Sequence, residues 1–542
     1  MRFRRSDPNA PAKPPRSTWA RMLTAAIAGA VAVLAFAPFG YWPLQIFSLG
    51  VLFYQVLRAA NVKSGALIGW AYGFGWCAAG THWLYISMHR YGDMAAPLAA
   101  IAVALLALLM AIYVALAMGA AAWLRQRWVL SLPTMTLLIL PSLWTLFEWT
   151  RGWLFTGFPW LATGYAHNAS PLAGFAPILG AYGLGWLAAL SAGALLLLVH
   201  PLRRTRWSAL AGLIALYAAG LGLQYFNWTH PIGRPITLRL LQGNVPQQQK
   251  FDPGFVLGAL QMYQSAITSA PADLIATPET AVTVLPHQLP PGYLDSLSAY
   301  AQQTGSTILL GMPVLDEQQR FYNTALGITP NSATGPYYQY RKHHLVPFGE
   351  FVPPGLHWFV AMMAIPLGDM GRGAEVQAPL QVRDQLVLPN ICYEDLFGEE
   401  IAGQLASAHR NGKQSASVLL NMSNLAWFGD SIAIPQHLQI SQMRSLETGR
   451  PMLRSTNTGA TAVIDGKGIV QSLLPPEQQA TLVAKVQGMG GMTPYILYGN
   501  KLLLALTALA LLTAFLRARA ARRDRAAQQS AADIARRVTV GP

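Results

Sequence analysis

The stretch KLLLALTALALLTAFLRARAARR, residues 501–523, decides the class of fold. Its apolar part ends at Leu516, and Arg517, Arg519, Arg522 and Arg523 close it. That is the pattern of a helix that crosses hydrocarbon and stops at a charged interface. Working outward, seven further apolar runs precede it, at roughly 21–37, 42–59, 66–87, 96–124, 130–150, 172–200 and 207–226. Composition agrees: the 542 residues are 53% hydrophobic and 11% charged, where soluble domains carry about 25% charged residues. The chain reads as a polytopic α-helical membrane protein of about eight spans.

A net charge of +15 raises the question of nucleic acid. The positions of the charges answer it. Arg2, Arg4, Arg5, Lys13 and Arg16 precede the first run, and Arg58 and Lys63 separate the second from the third. Arg125 and Arg127 follow the fourth, Arg203, Arg204 and Arg206 follow the sixth, and the arginine cluster follows the eighth. The alternate loops offer little beyond Arg90 and Arg151. Basic residues on every second loop obey the positive-inside rule and place both termini in the cytoplasm. They do not form the single basic face that a nucleic-acid partner needs. The basic leader of the first run resembles that of a signal peptide, but a second span follows it rather than a cleavage site and a polar mature region, so the helix is retained.

These boundaries divide the chain into a cytoplasmic tail (1–20), a seven-helix membrane domain (21–226), an outer segment (227–496), an eighth span (497–516) and a cytoplasmic tail (517–542). The outer segment lies in the periplasm if the cell is bacterial. It has ordinary globular composition. Strand-like runs occur at 236–245, 273–280, 306–314, 335–345, 384–394 and 415–424, with helical stretches at 253–270 and 435–450. Strands interleaved with helices predict an α/β layered domain.

Two cysteines occur in the whole chain, Cys77 inside the third run and Cys392 in the outer segment. An unpaired thiol in an oxidising compartment is either used or buried, and cysteine counting leaves both readings open. Glu279, Lys342 and Cys392 each end or flank a predicted strand, where α/β domains collect functional side chains. A carboxylate can take the thiol proton, and an ammonium can stabilise both thiolate and oxyanion. Taken singly, Glu279 could cap a helix and Lys342 could belong to a solvated basic face.

The motifs ATPETAV (276–282), YRKHHLVPFGEFVP (340–353) and NICYED (390–395) together resemble the nitrilase superfamily. With seven spans before them and one after, they resemble more narrowly the bacterial apolipoprotein N-acyltransferases. LQGNVPQ (241–247), FTGFPWLATGY (155–165), NMSNLAWFGDS (421–431) and LETGRPMLRSTNTGATAVID (446–465) extend the resemblance over nearly the whole chain. It implies a membrane-embedded αββα sandwich carrying a Glu-Lys-Cys triad. Glu279 is then general base and acid, Lys342 the oxyanion stabiliser and Cys392 the nucleophile. Glu350 and Glu394 are supporting carboxylates, and Tyr393 offers a main-chain N–H. Phe251 stands where many relatives carry tryptophan, and the resemblance implies it as an apolar substrate contact.

The implied reaction is ping-pong. An acyl chain passes from a membrane phospholipid to Cys392 as a thioester, then to the α-amino group of a diacylated apolipoprotein, with no cofactor. The resemblance also implies a monomer in the bacterial inner membrane. His343, His344 and His437 lack metal-ligand spacing, so no metal is expected. The apolar stretch 353–370 is expected to dip into the bilayer interface and admit lipid, with Trp358 as a substrate contact and a buried packing loop as the alternative. Trp427 and Phe428 are expected as lid or acyl contacts, with aromatic core packing as the alternative. Glu148 and Arg151 are expected as a helix-end pair, and Arg444, Glu447 and Arg450 as an ion-pair set on one helix face.

Two rival functions use parts of the same sequence. A membrane-tethered nitrilase-type amidase accounts for the triad but not for so many spans. A non-catalytic lipid-binding receptor accounts for the spans but not for an intact triad with Glu350.

Overall fold

A computed structural model of the chain describes residues 17–332, 336–352 and 369–539. Its first half is helical: α1 (Thr18–Ala32), α2 (Pro43–Leu57), α3 (Val62–Gly80), α4 (Ala96–Arg127), α5 (Leu140–Arg151), α6 (Ala176–Leu197) and α7 (Arg203–Gln224). Small residues let these helices touch. Gly65, Gly69 and Gly73, spaced by four along α3, face Ala122, Met118 and Ala111 of α4 so closely that a β-carbon at any of them would clash. This is the small-xxx-small packing that replaces hydrophobic driving force inside lipid.

Among the described residues, five helices are long and apolar enough to cross a membrane: Thr18–Ala35, Ala96–Arg127, Pro171–Leu197, Arg203–Gln224 and Lys501–Ala532. Helices also stand at the three other apolar runs. Of these, α2 has only 15 residues, about 22 Å of rise. Helix α3 is diluted by glycine, and a π-helical turn at Met135–Ile139 precedes α5.

The second half forms two six-stranded sheets. The first sheet is built from β1 (Ile236–Gln242), β2 (Leu274–Ala276), β3 (Thr307–Leu315), β4 (Phe321–Ile328), β5 (Tyr338–Arg341) and β12 (Ala480–Val486), in the order β12-β1-β2-β3-β4-β5. The second holds β6 (Leu380–Val382), β7 (Gln385–Ile391), β8 (Val418–Ser423), β9 (Met452–Thr456), β10 (Ala462–Ile464) and β11 (Val470–Leu473), in the order β11-β10-β9-β8-β7-β6. Each sheet is parallel at its centre, where β1-β2-β3 and β7-β8-β9 pair, and antiparallel at its flanks.

Period-two alternation sorts the side chains. Leu238, Leu240, Leu274, Ala276 and Leu309 of the first sheet meet Val387, Ile391, Val418, Leu420 and Leu453 of the second in one core. The opposite faces take helices. Helices α8 (Pro253–Thr268) and α9 (Tyr293–Thr304) cover Leu241, Ile275 and Ile308. Helix α10 (Gly398–Arg410) covers Leu388 and Leu419 of the second sheet. This is the αββα layering that the resemblance implies.

Helix α11 (Ala433–Thr448) joins the two halves. Gly180 breaks α6 with a φ of 67°, and a β-carbon there would lie 2.2 Å from the Tyr495 ring. The break coincides with Ala181 N–H donating not along its own helix but to Glu447 Oε1 of α11, at 2.8 Å. Helix α12 (Lys501–Thr539) returns from the sandwich to the helical half.

Candidate active site

Strand β7 delivers Cys392 to a sharp elbow. Ile391 is extended, Cys392 has φ 51°, and a 3-10 turn, Cys392–Leu396, follows at once. A non-glycine residue in that region is strained and is held there by its surroundings. Here Glu394 holds it. Its Oε2 accepts from Ile391 N–H at 2.6 Å and from the Tyr340 hydroxyl at 3.1 Å. Its Oε1 accepts from the main-chain N–H groups of His343 and His344 at 2.6 and 3.2 Å. One carboxylate thus fastens the cysteine elbow to the segment that follows β5 and carries Lys342.

Lys342 is 1% exposed, and Nζ lies 3.2 Å from Glu279 Oε1 and 2.8 Å from Glu350 Oε1. Asn323 of β4 donates from Nδ2 to the same two oxygens at 2.8 and 2.9 Å. The remaining oxygens are also engaged. Glu279 Oε2 accepts from Asn424 N–H at 3.0 Å, and Glu350 Oε2 from Val346 N–H at 2.9 Å. Burial works against every charge in this group. Even so, Lys342, the Asn323 amide and Lys250 hold the Glu279 carboxyl below its ordinary range, while Glu279 and Glu350 hold the Lys342 ammonium above its own. Burial pushes the Cys392 thiol up, and the Glu279 charge adds to that push. The resting site is therefore a neutral thiol facing an ionised carboxylate and an ammonium.

Cys392 is half-buried, and apolar surroundings face it on one side. It packs with Phe428 and Leu438 against Leu425, Ile434 and Ala460. Phe428 meets Trp83 edge-on at 4.4 Å, and Trp427 meets Tyr91 at 6.1 Å. Both aromatics are half-buried, and Phe428 shares the apolar flank of Cys392. Tyr393 is buried, and its hydroxyl donates to Gly157 O at 2.9 Å. Its main-chain N–H lies in the first turn of a 3-10 helix, where no carbonyl one turn back can accept it. Phe251 is 57% exposed. Trp358 and the stretch 353–368 lie outside the described residues. No group of three or more His, Cys, Asp and Glu that could hold a metal occurs among the described residues.

Two family descriptions match the chain: "Apolipoprotein N-acyltransferase N-terminal domain" over residues 28–194 and "Carbon-nitrogen hydrolase" over residues 238–495. The apolipoprotein N-acyltransferase of Ralstonia nicotianae is 49% identical over 505 residues, covering 92% of this chain and 93% of that protein. That of Nitrosomonas europaea is 42% identical over 507 residues, 93% of this chain and 98% of its own length. The chain belongs to the apolipoprotein N-acyltransferase family. A solved amidase of the nitrilase superfamily from Nesterenkonia AN1 is also similar, at 18% identity and a TM-score of 0.36 over 49% of this chain and 94% of that one.

In this N-acyltransferase family member a second polar cluster lies behind the elbow. Asp395 Oδ2 is 3.1 Å from Arg454 Nη1 and also accepts from Ser441 Oγ, while Oδ1 lies 3.0 Å from His437 Nε2. Trp160 of the helical half stacks on the His437 ring at 5.6 Å. Arg444 and Glu447 pair at 3.0 Å as expected. Arg450 does not join them. Helix α11 ends at Thr448, Gly449 turns the chain with φ 64°, and Arg450 donates to the carbonyls of Ala416 and Gly491. Glu148 and Arg151 are both buried but engage main chain and hydroxyl rather than each other. Glu148 Oε1 accepts from Thr163, and Arg151 Nη1 donates to Phe158 O and Trp160 O.

Sequence reasoning passed over Asn323, Asn424 and Lys250. Lys250 is buried and donates from Nζ to Glu279 O at 3.1 Å. The available signal was its place beside Phe251, in the PQQQKFDP link between β1 and α8.

Proposed function

We propose that the protein transfers an acyl chain from a membrane phospholipid, through a thioester on Cys392, to the α-amino group of the N-terminal diacylglyceryl-cysteine of bacterial lipoproteins. The reading rests on one juxtaposition: the Lys342 ammonium shared by Glu279 and Glu350, beside a strained cysteine elbow with an apolar flank. The names of the relatives supply the substrate class.

Glu279 accepts the thiol proton as Cys392 Sγ attacks the ester carbonyl carbon. Lys342 and the Tyr393 N–H receive the oxyanion. On collapse, the C–O bond breaks and the lysophospholipid alkoxide takes the proton back from Glu279, leaving the thioester. In the second half the amine nitrogen attacks that carbonyl, and Glu279 takes one of its protons. The C–S bond breaks, and the proton returns to sulfur as the amide leaves. Glu350 keeps Lys342 in place, and Glu394 keeps the elbow.

The remaining assignments follow from this reading. All eight apolar helices cross the inner membrane, α2, α3 and α5 included, with both termini cytoplasmic. Residues 227–496 form a periplasmic catalytic domain, and the working unit is a monomer. Charge alternation in the loops supports the orientation.

Incubating the purified full-length protein with phospholipid vesicles and measuring its intact mass tests the proposal. The expected result is an acyl-sized gain on the wild type and none on Cys392→Ala. Ammonia release from small amides without an adduct would favour the amidase. Lipid binding indifferent to Cys392→Ala, with no acyl product, would favour the receptor.

A further inference from the structure

Lys250 has no part in the mechanism above, yet it is the second buried lysine of the site. It is 5% exposed, and its loop reaches Glu279 by two routes. Lys250 Nζ bonds the Glu279 main chain, and Gln247 Oε1 accepts at 2.8 Å from Asn424 Nδ2, whose own main-chain N–H bonds the Glu279 carboxylate. The base of the loop is already fixed, because Asn457 exchanges side-chain bonds with Val245 N–H and O at 3.0 and 2.8 Å. A strap to one carbonyl needs only a neutral donor. An ammonium held out of water beside a carboxylate and a thiol acts on their charges as well.

We infer that Lys250 is a positioning residue whose ammonium acts through Glu279, setting the acidity at which that base accepts the Cys392 proton. The inference deepens the acyl-transfer reading and rests on it. Among the described residues, Glu279 and Cys392 are the charged or titratable groups that act on Lys250. Glu279 is faced in turn by Lys342, with Glu350 on the far side of that ammonium. Lys342 divides its charge between two carboxylates, whereas Lys250 serves one. With Lys250 charged, Glu279 stays ionised to lower pH. Burial, partly offset by Glu279, brings Lys250 down to about 8, so the charge it lends is present in neutral solution and fades in mild alkali.

The test measures the rate of thioester formation on Cys392 against pH, by intact mass, in full-length protein given dioleoyl phosphatidylcholine and phosphatidylethanolamine vesicles. Lys250→Met is expected to move the acid limb up by about one pH unit. It is then about tenfold slower than wild type on the acid side, below the ordinary carboxylate pKa of about 4.3, and within about threefold of it at neutral and alkaline pH. Lys250→Arg is expected to keep the wild-type limb. A Lys250→Met profile that superimposes on wild type, or falls evenly at every pH as loss of a strap would cause, overturns the inference. If Lys250→Met does not fold, Lys250→Gln keeps a donor and removes the charge. A moved limb there supports the inference, and an unmoved one overturns it. Wild type forming no adduct at any pH would refute acyl transfer itself, which is distinguishable from an adduct that forms and ignores Lys250.

Discussion

In front of Cys392, one ammonium serves two carboxylates, Glu279 and Glu350. Behind it, one carboxylate, Asp395, is met by Arg454, His437 and Ser441. Both clusters are buried and use the same kinds of residue in opposite proportion. The front is rich in acceptors, so a proton arriving from sulfur has somewhere to go. The back is rich in donors, and burial of Asp395 is outweighed by His437, Arg454 and Ser441, which hold its carboxyl below the usual range. A surplus of acceptors suits a group that must change protonation. A carboxylate held by an arginine, a histidine and a hydroxyl suits a group that must hold still, three residues beyond Cys392. In the acyl-transfer reading proposed above the front carries the chemistry, while the back ties the elbow to α11 and to Trp160 of the helical half.

The largest expected break in this contrast comes from Lys342→Met. Glu279 and Glu350 would then share only the Asn323 amide, and two facing buried carboxylates cannot both stay ionised. With base strength and oxyanion stabilisation both disturbed, thioester formation is expected to fall on the order of 10³-fold. Time courses of the acyl adduct on intact protein measure it. A rate within about tenfold of wild type would mean that the front cluster is structural.

Asp395→Asn probes the other side. It leaves Arg454, which is fully buried, without its counter-charge, and breaking such a pair from one side costs about 3–5 kcal/mol. A clear drop in Tm is expected, with thioester formation per folded molecule changed far less than by Lys342→Met. Loss of acylation at unchanged Tm would erase the distinction between front and back.

The sequence exposed the front better than the back, for physical reasons. Glu279, Lys342 and Cys392 sit at or just beyond the ends of β2, β5 and β7, where an apolar run gives way to an ionisable residue. Strand β4 stayed hidden because Asn323, Thr324 and Gly327 interrupt its alternation, and Asn323 was hidden with it. Asn424 and Lys250 reach Glu279 across 145 and 29 residues, contacts that no local period encodes. The Asp395 cluster draws on three separate elements and carries no spacing rule. Arg450 was misplaced because helical periodicity was carried past Gly449, where the helix had already stopped. Helices stand at all eight apolar runs, five of them long and apolar enough to cross a membrane among the described residues. Apolarity did not show that a π-helical turn precedes α5, because a π-bulge follows from packing rather than from composition.

Glu394 lies between the two clusters, and the smallest effect is expected there. Burial pushes its carboxyl up to about 7, although the N–H groups of Ile391, His343 and His344 pull the other way. Its folded pKa is therefore above the unfolded value of about 4.3, and the folded state binds this proton more tightly. The resulting stability is fully present below the unfolded value and is lost as pH rises through about 7. Wild type should thus lose a few degrees of Tm between about pH 5 and about pH 8 through this group. Glu447, also pushed up to about 7 by burial, adds a slope of the same sign. Glu394→Gln should retain the Glu447 part and lose the rest. If the two proteins show the same slope, Glu394 is ionised throughout, and its four donors outweigh its burial. The elbow would then be held by a fixed charge, as Asp395 is, and Glu394 would belong with the back cluster.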